Sequence, residues 1–166
     1  TKYVLFFLRH FNTGQRKHGK IAWLREHEPE VFARAFQYLD MHAYLIQRLT
    51  GKARTGWGCA DPTGLFDMRR NDWSEEILTQ AGIERRLLCE AYPSGTLLGE
   101  VTDRAAAATG LAVGTPVVLG GHDYLCGALP VGAFRPGVVL DVTGTWEIVL
   151  AAIPAPILTP DVQKLG

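Results

Sequence analysis

Helical segments alternate with short apolar runs along this chain, and a glycine follows several of the helical segments. Thr102 precedes one of these segments, either Ser74 or Asp72 can cap another, and Gly82 and Gly110 follow them. Serine and threonine side chains accept hydrogen bonds from the first N–H groups of a helix, and glycine adopts the left-handed conformation that ends one. The alternation predicts an α/β or α+β fold.

Apolar spacing sets the bounds of the predicted elements. Helices are predicted over 20–27, 28–49, 75–80, 103–109 and 124–132. Residues 115–119 form a continuous apolar run and are predicted to be a buried strand. Residues 138–142 and 147–151 are predicted to be two strands of a β-hairpin, and the Gly-rich stretch 52–72 an irregular loop.

The composition is that of a globular protein without a marked charge. The 166 residues include 17 Lys and Arg and 17 Asp and Glu, and 47% are apolar. Intrinsic disorder is therefore excluded, and the chain lacks the basic surplus that a general nucleic-acid binder needs. The apolar run at the N-terminus is too short to span a bilayer. Because residue 1 is not Met, we expect the chain to be part of a longer protein.

The cysteines Cys59, Cys89 and Cys126 are widely spaced and odd in number. No CxxC or Cys/His ligand spacing occurs, so neither a zinc site nor a disulfide framework is predicted. Free cysteines favour a reducing compartment, and we expect the protein in the cytoplasm.

The sharpest local feature is Gly120-Gly121-His122-Asp123, directly after the apolar run that ends at Leu119. Ligands of α/β folds gather at the carboxyl ends of strands, and an aspartate there can act as a general base or bind a metal or sugar hydroxyls. The alternative is a Gly-Gly turn with an Asp that caps the next helix. No second His lies at ligand spacing and no GxSxG motif occurs, which disfavours hydrolase chemistry.

Two further segments have polar residues suited to binding. Asp141-Val142-Thr143-Gly144-Thr145 could offer N–H groups and hydroxyls to a phosphate, or it could be an ordinary hairpin turn; it is not a Walker A loop. The loop Thr55–Asp67, with Asp61 and Thr63 as its polar candidates, could bind a ligand or be a solvated connection.

The order of these segments resembles the FGGY family of carbohydrate kinases, which includes xylulokinase, fuculokinase and glycerol kinase. The resemblance covers residues 20–151. The matching segments are Lys20–His27, Leu45–Gly51, Thr55–Asp67, Thr109–Val117, Gly120–Asp123 and Thr143–Thr145.

The resemblance implies part of an α/β, ribonuclease H-like fold of the actin and hexokinase type, with two lobes around a cleft. It also implies ATP-dependent phosphorylation of a sugar or polyol hydroxyl, with Mg²⁺ accompanying ATP. No protein metal ligand is assigned. The expected partners are the sugar or polyol and ATP, without nucleic acid or membrane, and a homodimer is compatible with the family.

The same resemblance implies roles for individual residues. Asp123 matches the catalytic base, and Gly121, His122 and Tyr124 would join it in binding the substrate. Gly144 and Thr145 match the hairpin that contacts the phosphates of ATP.

The chain lacks the family's first phosphate-binding hairpin and its adenosine-binding lobe. We therefore expect 1–134 to be the second half of the N-terminal lobe and 135–166 to be the opening hairpin of the C-terminal lobe. This segment alone is expected to be inactive. The alternative is a kinase-derived sugar-binding or regulatory module without catalysis.

Overall fold

The chain divides into two compact units, Thr1–Gly121 and His122–Gly166, and the computed structural model describes residues 3–5, 19–145, 147–155 and 157. Trp146 of the predicted hairpin turn and most of the apolar N-terminal run lie outside the described residues. None of the helices in the described ranges combines the length and the apolar character that a bilayer crossing requires.

Helices and short strands alternate in the first unit, as the sequence predicts. Its helices are α1 (Gly19–His27), α2 (Pro29–Ala33), α3 (Met41–Thr50), α4 (Trp57–Ala60), α5 (Glu75–Ala81) and α6 (Asp103–Thr109). Its strands are β1 (Tyr3–Leu5), β2 (Gln37–Leu39), β3 (Arg54–Gly56), β4 (Phe66–Asp67), β5 (Asp72–Trp73), β6 (Glu90–Tyr92), β7 (Leu97–Glu100) and β8 (Pro116–Val118).

The strands of the first unit join in pairs. β1 and β2 are parallel, as are β3 and β6, whereas β4–β5 and β7–β8 are antiparallel. Parallel strands need a connection that crosses over between them, and helices fill the connections here: α1 and α2 lie between β1 and β2, and α4 and α5 between β3 and β6.

The main core of the first unit surrounds Leu65, Trp73 and Leu78, which are buried together with Ile83 and Leu88. The Trp73 indole N–H donates to the carbonyl of Cys89 at 2.8 Å, so the polar atom of this buried side chain has a partner. Burial of apolar surface contributes about 25 cal/mol per Å² to stability. Because the indole N–H is hydrogen-bonded, burial of Trp73 does not leave an unpaired donor that would cancel part of this gain.

The predicted helix ends of α5 and α6 are confirmed. Ser74 accepts a hydrogen bond from the N–H of Ile77, and Thr102 accepts one from the N–H of Ala105. Gly82 and Gly110 follow these helices with φ of 62° and 78°. Only local backbone geometry and short polar side chains are needed for such ends, so the sequence is sufficient to locate them.

The single helix predicted over 28–49 is wrong. The segment forms α2, then β2, and then α3, which begins after Asp40. Leu39 is fully buried in a strand that pairs with β1, and the Asp40 carboxylate accepts a hydrogen bond from the N–H of Ala43 at 2.7 Å. The apolar spacing fits a helix, but pairing with a distant strand overrides it.

The strand predicted at 115–119 is present as β8, but it is not buried. Its pairing partner is β7, and Val118 is 56% exposed. The buried residue is Leu119, just after the strand, which packs with Ile46 and Leu98. The predicted loop 52–72 also differs, because it contains β3, α4 and β4.

The second unit contains α7 (Asp123–Ala128) and the antiparallel hairpin of β9 (Val139–Val142) and β10 (Ile148–Ala151). The predicted hairpin is confirmed, with Ile148 opposite Val142. The helix predicted over 124–132 is shorter than expected: it ends at Ala128, and turns and a bend follow up to Gly137.

Candidate functional site

The backbone before Gly120 is fixed by two hydrogen bonds of Leu119. Its N–H donates to the carbonyl of Thr96 at 2.9 Å, and its carbonyl accepts from the N–H of Gly95 at 2.8 Å. At Gly120, which follows, an added Cβ would meet no atom of the described residues within 4 Å. Packing against the described part of the chain therefore does not require glycine at position 120, whereas the close approach of a ligand would.

Asp123 is the first residue of α7, and His122 occupies the N-cap position. The Asp123 side chain does not cap the helix. Its Oδ1 atom instead accepts a hydrogen bond from the N–H of the next residue, Tyr124, at 2.8 Å. The structure therefore does not agree with the alternative interpretation, in which the Asp123 side chain caps the helix.

His122 and Tyr124 flank Asp123 in the sequence, and their rings pack against each other. The imidazole and phenol rings are 4.1 Å apart between centroids, tilted by 38°. The Nδ1 atom of His122 lies 2.5 Å from Oδ1 of Asp123. The sequence-predicted residues His122, Asp123 and Tyr124 thus form one contacting group at the start of the second unit.

The electrostatic surroundings keep the Asp123 carboxylate ionised. The Tyr124 N–H lowers the pKa of Asp123 below its ordinary value, and His122 lowers it further. The side chain is 89% exposed, so a ligand can reach it. A charged, accessible carboxylate at neutral pH can accept a proton from a hydroxyl that becomes acidic during reaction.

Gly144 and Thr145 lie in the turn between β9 and β10, and both are exposed. Their exposure leaves this turn accessible to a ligand. Within the described part of the chain, no hydrogen bond or ion pair connects this turn to Asp123. His122, Asp123 and Tyr124 lie in the same unit as this turn, whereas Gly121 is the last residue of the first unit.

The polar residues predicted in the Thr55–Asp67 segment serve the local backbone. The Thr63 hydroxyl donates to the carbonyl of Ala60 at 2.6 Å and accepts from the N–H of Leu65 at 3.1 Å. The Asp67 carboxylate accepts from the N–H groups of Arg69 and Arg70. Asp61 begins a 3₁₀ turn and is exposed. These contacts favour a structural role for the segment.

Two polar features could not be predicted from the sequence. His42 Nδ1 lies 3.2 Å from Cys59 Sγ, although the two residues are 17 positions apart. A surface groove of about 330 Å³ is lined by Lys52, Arg54 and Glu100 among others. A fold that brings distant residues together was needed to reveal both. In the described ranges no three His, Cys, Asp or Glu side chains gather as a metal would require.

The family model for the N-terminal domain of the FGGY family of carbohydrate kinases matches residues 10–130. The chain is 32% identical over 144 residues to the autoinducer-2 kinase of Photorhabdus laumondii, and 35% identical over 132 residues to that of Klebsiella pneumoniae. These matches cover 87% and 79% of this chain, but 27% and 25% of the relatives. The chain thus spans about a quarter of their length.

Solved structures give the same result for the fold. The xylulose kinase of Rhodospirillum rubrum is 33% identical, with a TM-score of 0.72 over 78% of this chain and 27% of that protein. The xylulose kinase of Lactobacillus acidophilus is 23% identical, with a TM-score of 0.80 over 88% of this chain and 30% of that protein. The expected α/β, ribonuclease H-like fold is confirmed in part of its extent, and this chain belongs to the FGGY family of carbohydrate kinases.

Proposed function

We propose that the protein containing this chain transfers the γ-phosphoryl group of ATP to a hydroxyl of a sugar or polyol, with Asp123 as the general base. The observation that carries the proposal is the ionised, accessible carboxylate at the start of α7, in a chain of carbohydrate kinase ancestry. The kinase names of the relatives support phosphorylation rather than a purely regulatory module.

The proposed step breaks one bond to phosphorus and forms another. The sugar hydroxyl oxygen attacks the γ-phosphorus, the bond to the β,γ-bridging oxygen breaks, and ADP leaves. The hydroxyl proton moves to the carboxylate of Asp123. Because phosphoryl transfer involves little covalent work by the protein, most of the acceleration comes from positioning and charge stabilisation.

The other predicted residues have binding roles in this proposal. The backbone at Gly121 and the side chain of Tyr124 contact the sugar, His122 belongs to the same group of contacting residues, and the Gly144–Thr145 turn contacts the phosphates of ATP. Mg²⁺ is the expected companion of ATP. The described residues do not gather a ligand set for it, so no step is assigned to the ion.

The domain assignment and the setting are part of the same proposal. Residues 1–134 would complete an N-terminal lobe, and 135–166 would open a C-terminal one. The described cysteines Cys59, Cys89 and Cys126 are all free, which supports a reducing compartment such as the cytoplasm. Candidate substrates include autoinducer-2 and xylulose, the substrates in the names of the relatives.

The full-length protein should be tested for ATP consumption with autoinducer-2, pentoses, hexoses and polyols. We expect the near-isosteric Asp123→Asn substitution to lower kcat by about 10²–10⁴-fold, the usual contribution of a general base. KM for the sugar should change little. Asp103→Asn is the matched control, because Asp103 is also an exposed residue at the start of a helix.

Undiminished turnover by Asp123→Asn would remove Asp123 from the role of base. Sugar binding by calorimetry without any ATP consumption by the wild-type protein would favour the sugar-binding module instead. The same purified sample gives its mass in solution, which tests for a homodimer.

A further inference from the structure

The two oxygens of the Asp123 carboxylate have different surroundings. Oδ1 accepts the hydrogen bond from the Tyr124 N–H at 2.8 Å and also lies 2.5 Å from Nδ1 of His122. Among the described residues, no hydrogen bond ends on Oδ2. One oxygen is therefore held by the protein, and the other is available to a ligand.

The His122 ring is itself restrained. It packs against the ring of Tyr124 at 4.1 Å between centroids, and its Nδ1 atom is shielded from solvent. Nδ1 has no aligned hydrogen-bond partner in the described part of the chain, although Oδ1 of Asp123 is close by. A polar atom withdrawn from water without a hydrogen bond is costly, so the adjacent carboxylate oxygen is the acceptor that a proton on Nδ1 would use.

We propose that His122 is a positioning residue, whose Nδ1–H holds Oδ1 of Asp123 so that Oδ2 is the oxygen that takes the hydroxyl proton. This inference rests on the proposed kinase function of the same site. It assigns His122 the Nδ1–H tautomer, and it makes the imidazole act on the base rather than read the sugar directly.

The physical reason is the exposure of the carboxylate. A side chain that is 89% exposed samples several rotamers unless its neighbours restrict it. The Tyr124 N–H alone fixes one oxygen by a single contact, about which the carboxylate can still rotate. A second contact on the same oxygen restricts that rotation, and misplacing a reacting group by about 1 Å can cost about 10²-fold in rate.

The test uses two substitutions of His122, each of which places an amide nitrogen close to the position of one of the two imidazole nitrogens. The amide nitrogen of Asn superimposes approximately on Nδ1, and that of Gln on Nε2. In the full-length protein with its active sugar, we expect His122→Gln to lower kcat about tenfold or more. His122→Asn should recover most of kcat, and both variants should keep KM for the sugar within about threefold.

The opposite pattern, in which Gln retains activity and Asn raises KM for the sugar, would overturn the inference, because the ring would then read the substrate through Nε2. Equal kcat in both variants would overturn it as well. Circular dichroism of each variant shows whether a loss reflects misfolding.

Two measurements separate this inference from the proposed function. Asp123→Asn in the same assay tests the base itself: unchanged turnover there rejects the proposed function whatever the His122 variants do. Nitrogen-15 NMR of the substrate-free protein reports the tautomer of His122 independently of activity. Nδ1–H supports the inference, and Nε2–H would overturn it.

Discussion

At the scale of single residues, the properties of Asp123 come from its two neighbours in sequence. The Tyr124 N–H is the larger cause of its lowered pKa, and the His122 imidazole is a smaller one. Both contacts depend on the start of α7 and not on distant parts of the chain. The sequence Gly-His-Asp-Tyr therefore contains Asp123 together with the groups that keep its carboxylate charged.

Thr145 offers a second test at this scale. If its hydroxyl contacts a phosphate of ATP, Thr145→Val removes a hydrogen bond to a charged group, worth about 1.5–3 kcal/mol. We expect KM for ATP to rise about tenfold or more, with KM for the sugar unchanged. Steady-state kinetics of the full-length protein measure both.

Thr143→Val is the matched control, since Thr143 is an exposed threonine of the same turn to which no phosphate contact is assigned. The same rise in KM for ATP in both variants would indicate a general change in the turn rather than a specific contact.

At the scale of elements, Asp40 joins α3 to β3. One of its carboxylate oxygens accepts from the Ala43 N–H at the start of α3, and the other accepts from the hydroxyl of Thr55 at 2.8 Å. Thr55 is 1% exposed and lies in β3. Because one carboxylate serves both a helix end and a buried hydroxyl, the two elements are fixed to each other.

Thr55→Val should destabilise the protein by about 1–3 kcal/mol, because it removes the hydroxyl and leaves the Asp40 oxygen without its partner. Urea unfolding followed by tryptophan fluorescence measures this change in the free energy of unfolding. Thr79→Val is the control: this residue is exposed, and its hydroxyl donates to the Glu75 carbonyl within the same helix. A loss in the control as large as that of Thr55→Val would contradict the assigned contact.

At the scale of the whole molecule, the two units differ in how their cysteines are placed. Burial, with a smaller contribution from Asp40, raises the pKa of Cys59 from 9.0 to about 11 and that of Cys89 to about 12. Both residues belong to the first unit, whereas Cys126 is an exposed residue of the second.

These pKa values predict how the free energy of unfolding of the first unit changes with pH in alkaline solution. Below pH 9 both thiols are protonated whether the unit is folded or unfolded. Between pH 9 and 11 the unfolded chain loses protons that the folded chain keeps, so the free energy of unfolding falls as the pH rises. Urea unfolding over this range should show the decrease, and Cys59→Ala should reduce its slope.

Cys126→Ala is the control variant, because this residue is an exposed cysteine of the second unit. If the slope of the wild-type protein does not differ from that of Cys59→Ala, the Cys59 thiol is not what destabilises the first unit in alkali.

Local rules were sufficient for a substantial part of this fold. Ser74 and Thr102 with Gly82 and Gly110 mark two helices, and the alternating strands around Gly144 mark the hairpin. The group His122–Tyr124 could also be predicted from the sequence, because its contacts lie within three consecutive residues. In each case the relevant interactions span only a few positions in the chain.

The tertiary structure decided what depends on distant partners. Leu39 lies in a strand because it pairs with β1, which precedes it by more than thirty residues, and Val118 is exposed because β8 lies beside β7 without being enclosed. His42 meets Cys59 for the same reason. The sequence by itself determined the family, the capped helices and the grouping of Asp123 with its neighbours, since these depend on motif order and local chemistry. Burial and pairing were left to the tertiary structure, because they depend on which distant surfaces compete for each segment.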